Sequence, residues 1–175
     1  GLAEANDRMS EVRAVADASD LIVACMGLDA SLEGEEGDEG NEFASGDKPN
    51  LNLPGLQEEV LKELAKTGKP VVLVLLSGSA LAVTFAEQNI PAIVQGWYPG
   101  ARGGKAIADI LFGKASPEGK LPVTFYRTTE ELPDFKDYSM KDRTYRYMNQ
   151  EALYPFGFGL SYTDFEITQA GLSSE

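Results

Sequence analysis

Apolar positions arrive in two rhythms along this chain. At residues 2–18, Ala3, Met9, Val12, Val15 and Ala16 recur at helical spacing with charges between them, which predicts an amphipathic helix. Residues 21–26 (Leu-Ile-Val-Ala-Cys-Met) form a continuous apolar run of strand length. Gly27 then opens a polar segment, rich in Gly, Asp, Glu and Asn, that reaches about Asn52. Leu53-Pro54-Gly55 introduces a second helix running to about Thr67. Pro54 suits its first turn, Leu56, Val60, Leu61 and Leu64 form its stripe, and Gly68 fits its C-terminal cap. Residues 70–76 predict a second buried strand, ending at Ser77-Gly78-Ser79. A short strand or turn follows at 81–84, and a third strand at 91–97, broken by Tyr98-Pro99-Gly100. Ala106, Ile107, Ile110 and Leu111 share one face of a helix from about Gly103 to Phe112, closed by Gly113. Residues 121–125 predict another strand. Beyond 127 the periodicity fades into an irregular stretch of Tyr, Phe and Gly, and there are no internal repeats.

Strands that are apolar throughout, alternating with helices, indicate a mostly parallel sheet covered on both faces. The expected fold class is therefore α/β, a flavodoxin-like three-layer sandwich. In such sheets ligands bind at loops beyond the C-terminal ends of strands. The segment 27–52 leaves a strand directly, and a structureless connection of that length is usually functional or disordered.

Composition narrows the chemistry. The 175 residues suffice for one domain with a core, and no apolar run approaches a membrane span. A net charge of −13 repels phosphate backbones and anionic bilayers, which argues against nucleic acid and membranes as partners. Glu4, Asp7 and Glu11 stand where a signal peptide would be apolar; in a piece of a longer protein that says nothing about export. With no histidine, the chain by itself holds no Ser-His-Asp triad, HExxH site or imidazole shuttle. With one cysteine it holds no internal disulfide and no Cys-rich zinc site. Cys25, inside an apolar run, is expected to be a small buried hydrophobe. Proton transfer falls to Asp, Glu, Lys or Tyr.

Between Asp29 and Glu42 lie seven acids (Asp29, Glu33, Glu35, Glu36, Asp38, Glu39, Glu42) and no base. On composition alone this is a solvated surface loop, and the calcium-loop pattern is absent. The functional reading is a general acid. Crowded carboxylates raise one another's pKa, so one of them stays protonated near neutrality and can donate to a leaving oxygen. Composition does not choose among the seven. Elsewhere, Ser77 to Ser79 reads as a turn more readily than as an anion cradle, since no P-loop pattern accompanies it. Residues 96–100 suit a sugar-facing wall or simple core packing. Arg143-Thr144-Tyr145-Arg146-Tyr147 alternates like an edge strand, and the aromatic stretch 154–162 is the kind that packs on another domain.

Eight motifs then stand in a recognisable order. They are Gly27-Leu28-Asp29, Leu32-Glu33-Gly34-Glu35-Glu36, Leu51-Asn52-Leu53-Pro54-Gly55-Leu56-Gln57 and Gly68-Lys69-Pro70-Val71-Val72, followed by Trp97-Tyr98-Pro99-Gly100 and the runs at 106–113, 117–125 and 154–162. Over roughly residues 15–166 the sequence resembles the C-terminal domain of family 3 glycoside hydrolases, chiefly the β-glucosidase and β-xylosidase branches.

The resemblance implies half of an active site. A preceding barrel domain of the same polypeptide would carry an aspartate nucleophile, and this domain would supply the acid/base glutamate for retaining, exo-acting hydrolysis of a carbohydrate substrate. No cofactor or metal is implied, and the isolated chain is expected to be inactive. In many members the loop reads Glu-x-Glu-Gly-x-Asp-Arg. Its second Glu falls on Glu35, with Glu33 beside it. Glu36 replaces the motif's Gly and becomes a rival, as does Glu33. An insertion displaces the Asp-Arg pair; Asp47-Lys48 is its counterpart as a substrate-binding pair, with Lys for Arg. On this footing residues 1–166 form an α/β sandwich that begins at a helix rather than an earlier strand, and 167–175 lead toward a fibronectin-like domain. A periplasmic or secreted parent is compatible with it. The alternative from another class is a non-catalytic flavodoxin-like binding or scaffold domain.

Overall fold

The computed structural model describes residues 8–29, 32, 48–166 and 168–173. Helix α1 (Met9–Asp17) leads into strand β1 (Ile22–Gly27). Helix α2 (Gln57–Ala65), strand β2 (Val71–Leu76), helix α3 (Thr84–Asn89), strand β3 (Ala92–Gln95) and helix α4 (Gly103–Leu111) follow. A 3-10 turn (Thr129–Glu131) and a one-turn helix α5 (Thr144–Tyr147) punctuate the irregular C-terminal third. Among the described residues no helix is long and apolar enough to cross a membrane.

The strands form one parallel sheet in the order β1-β2-β3, with Ile22 opposite Val71 and Val72 opposite Ala92. The α/β class expected from the alternating pattern is what the chain adopts. Val71, Leu73 and Leu75 point into a core shared with Ala16 of α1, Leu61 and Leu64 of α2 and Ala86 of α3. Val72, Val74 and Leu76 alternate to the other face, the basic geometry of a strand. There α4 approaches so closely that a Cβ on Gly96 would lie 3.0 Å from Leu76 Cδ2 and 3.5 Å from Ile107 Cδ1.

Several expectations need correction. The helix expected from Pro54 begins at Gln57, because Gly55 adopts φ +57° and turns the chain first. Residues 84–89 form a helix, not the end of a short strand; six residues are too few to show a helical period. The run at 121–125 is no strand. Pro122 lacks the amide a ladder needs, and pairing shrinks to a single antiparallel bridge between Phe125 and Tyr154. Residues 144–147 coil into α5 instead of forming an edge strand. Cys25 is exposed rather than buried. It shares an uncovered face of β1 with Val23, which is 43% exposed, so the apolar run at 21–26 is covered on one side only among the described residues.

Candidate active site

The C-terminal ends of β1, β2 and β3 share one edge, and the acidic segment begins there. Parallel pairing makes alternate residues of β1 face β2. Ile22 N donates to Pro70 O (2.9 Å) and Leu28 N to Leu76 O (2.8 Å). Gly27, between those phases, turns its peptide groups outward, and Gln57 meets both. Gly27 N donates to Gln57 Oε1 at 2.8 Å, and Gln57 Nε2 donates to Gly27 O at 2.9 Å. Only glycine fits at 27, since φ is +140° and a Cβ would stand 1.9 Å from Leu76 O. Leu28 and Leu32, both 7% exposed, seat the start of the segment in the core.

The far end of the segment is tied as firmly. Leu51 N donates to Thr129 Oγ1 (3.0 Å), Leu51 O accepts from Ala82 N (2.7 Å), and Leu53 is buried. Lys48 Nζ donates to Ala80 O at 3.1 Å, across the turn after β2. Glu33, Glu35, Glu36 and Asp47 lie outside the described residues. Of the sequence-derived site positions, Lys48 is therefore the one whose contacts can be stated.

Beyond β2, Ser77 Oγ donates to Ser79 O (2.9 Å) and accepts from Gln95 Nε2 (3.2 Å). Ser77 is fully buried and its hydroxyl is engaged by these two contacts, while Gly78 is exposed. Gln95 Oε1 and Thr124 Oγ1 are buried without a hydrogen-bond partner among the described residues. Trp97 sits at φ +53° and meets Phe125 edge-on, centroids 6.2 Å apart. Phe125 in turn meets Tyr154 edge-on at 6.3 Å. Burial and then the Glu87 carboxylate hold the Tyr154 phenol above its ordinary pKa, which keeps it neutral. The motif at 96–100 thus contributes core packing through Trp97, while Tyr98 is 53% exposed.

Beside the loop's stem opens a groove of about 790 Å³, lined among others by Lys48, Asn50, Leu51, Phe135, Tyr138 and Arg143. Phe135 and Tyr138 are 88% and 90% exposed. Arg143 donates to the carbonyls of Ser139, Asp134 and Asp137, so its guanidinium organises the groove's own wall. Among the described residues no group of His, Cys, Asp or Glu side chains is placed to hold a metal ion. From the sequence Gln57 figures only as the last residue of the motif at 51–57, with no role attached, and Thr129 not at all. The signal that points to Gln57 is its place at the start of the helix that ends a long connection.

The aromatic tail is partly satisfied within the chain. Tyr145 stacks on Phe156 with centroids 4.6 Å apart, Tyr154 lies 5.1 Å from Phe158, and Tyr162 Oη donates to Ile110 O at 2.9 Å.

The model of the glycosyl hydrolase family 3 C-terminal domain matches residues 2–162. A xylan 1,4-β-xylosidase from Xylanibacter ruminicola is 52% identical over 150 residues, covering 85% of this chain and 17% of that protein. A periplasmic β-glucosidase from Salmonella typhimurium is 35% identical over 178 residues, covering 95% and 22%. Among solved structures, a family 3 exo-β-xylosidase in complex with a xylobiose aziridine probe superposes with a TM-score of 0.80 at 28% identity, covering 93% of this chain and 22% of that one. A β-glucosidase from Erythrobacter marinus gives 0.75 at 37% identity, covering 93% and 23%. The chain thus spans about a fifth of the length of these relatives.

Proposed function

The chain belongs to glycosyl hydrolase family 3 as its C-terminal domain, and on that footing we propose that it supplies the general acid/base carboxylate of a retaining, exo-acting β-glycosidase. Glu35 is the carboxylate proposed, with Glu36 and Glu33 as rivals. The substrate carries a terminal β-xylosyl or β-glucosyl unit, the two activities named among the relatives. The nucleophilic aspartate belongs to a barrel domain that precedes this one in the same polypeptide, and Asp47 and Lys48 contact the sugar. Residues 1–166 are the α/β unit, and the residues after them lead into a further domain.

The chemistry divides between two carboxyl groups about 5–5.5 Å apart. In the first half, the aspartate attacks the anomeric carbon while the glutamic acid gives its proton to the departing glycosidic oxygen. In the second half the same glutamate, now ionised, takes a proton from water as that water's oxygen displaces the aspartate. Configuration is retained because the anomeric carbon is inverted twice.

The observation that carries this reading is the segment's point of departure. It leaves the C-terminal end of β1 at Gly27 and Leu28, on the sheet edge where parallel α/β folds gather ligands, and it holds seven acids and no base between positions 29 and 42. The test is Glu35→Ala in the full-length enzyme, assayed on aryl β-xylosides and β-glucosides with and without azide. A large loss on poor leaving groups, with azide giving a glycosyl azide of retained configuration, is expected. Normal turnover would move the role to Glu36 or Glu33, and normal turnover in all three variants would leave the domain a scaffold.

A further inference from the structure

A carboxylate on a long segment acts as an acid only if the segment leaves its scaffold in one direction, because displacements of about 1 Å can cost on the order of 100-fold in rate. At the exit of β1 that direction is set by three contacts. Gly27 occupies a backbone conformation closed to other residues, Leu28 N holds Leu76 O, and the side-chain amide of Gln57 closes a ring of two hydrogen bonds with the peptide groups of Gly27. The third differs in kind from the other two. Gln57 opens α2, on the far side of the acidic segment, so its amide joins the place where the segment ends to the place where it begins. It also adds a rung to the edge of β1 that no strand pairs among the described residues, serving a backbone donor and acceptor there.

We propose that Gln57 is a positioning residue for the acid/base step, clasping the exit of β1 to the start of α2 and thereby fixing how the acidic segment is presented. The inference rests on the reading that the acid/base carboxylate lies on that segment. The amide donates and accepts through one planar fork whatever the pH. Leucine has neither function. A glutamate has the accepting oxygen, and it acquires the donor only when protonated. Q57E therefore closes the ring at low pH and opens it at high pH, where an ionised carboxylate faces the Gly27 carbonyl.

The experiment compares Q57L and Q57E with wild type and with Glu35, Glu36 and Glu33 variants in the full-length enzyme, using aryl glycosides of graded leaving-group ability. Q57L is expected to lose kcat/KM, which reports the first half-reaction, by roughly 10- to 100-fold on poor leaving groups, with little change in kcat/KM on dinitrophenyl glycosides. Q57E is expected to regain turnover as pH falls, displacing its pH profile to the acid side. Two results overturn the inference while leaving the acid/base reading intact: equal losses of kcat/KM on good and poor leaving groups, or wild-type behaviour, in Q57L while one of the glutamate variants is leaving-group selective in kcat/KM. A Q57E profile that keeps the wild-type shape also overturns it. If no glutamate variant is selective, the acid/base reading falls and this inference falls with it.

Discussion

The ammonium of Lys69 lies 2.7 Å from the carbonyl oxygen of Asp17, the last residue of α1. The same nitrogen donates to Ala16 O at 2.8 Å and to Ser19 O. A helix ends with carbonyls that its own backbone does not satisfy, and the C-terminal dipole favours a cation there. Lys69, one residue before Pro70, thus ties α1 to the start of β2. Lys69→Met keeps the apolar stem and removes the donors. It is expected to cost about 1–3 kcal/mol, read as a lower urea midpoint with an unchanged slope. An unchanged midpoint would mean that water serves these carbonyls equally well.

Gly27→Ala tests the close approach of β1 to β2. The added methyl would meet Leu76 O, and φ +140° is strained for any L side chain. Steric and backbone costs together are expected to reach roughly 3 kcal/mol or more, seen as loss of cooperative unfolding or of soluble chain. Wild-type stability would show that the strand ends part readily.

Glu63 links two helices. Its carboxylate accepts from Lys66 Nζ at 2.6 Å and from Arg13 Nη2 of α1 at 3.1 Å, and these partners, Lys66 first, hold its pKa below the ordinary carboxylate range. A depressed folded-state pKa means that the unfolded chain binds the proton more readily. The contribution is therefore present above the unfolded pKa and fades as pH falls through the folded one. Glu63→Gln should flatten the acid limb of the stability curve while changing little below it. A carboxyl titration at the ordinary position in an NMR experiment would contradict this.

Phe125 is 2% exposed and meets Trp97 and Tyr154 edge-on. Phe125→Ala is expected to cost about 3–5 kcal/mol. Because Trp97 is the sole tryptophan, its emission should shift to longer wavelength in the folded variant. An unshifted spectrum would mean that Trp97 keeps its surroundings without Phe125.

Cys25 is exposed on β1, so in the native 175-residue chain it should react with a disulfide reagent at a rate near that of the unfolded chain. Protection until unfolding would restore the buried reading.

What could be read in advance was whatever a single residue or a long period fixes. The runs at 21–26 and 70–76 are strands, and Gly68 and Gly113 stop helices with φ +70° and +67°. Features that depend on a distant partner were not legible. Whether the second face of residues 21–26 is covered depends on what lies against it, so Cys25 was misjudged. Pairing at 121–125 depends on residues 153–158 and was cut short by Pro122. The site divides in the same way. Motif order pointed to the acidic segment and included Gly27 and Gln57 in two separate motifs, whereas the clasp between them spans thirty positions of chain and is legible in neither motif alone.

The strand order β1-β2-β3 repeats in space the order in the chain. Each strand that emerges from synthesis therefore finds its neighbour already made, and none must wait to be inserted between two others. The two pairings are not equally dear in chain entropy. Val72 meets Ala92 across less than half the chain that separates Ile22 from Val71, a difference of about 0.8 kcal/mol in closure. The acidic segment accounts for much of the longer span. The stretch that carries the proposed chemistry is thus also the stretch that makes the β1 edge the slower one to close.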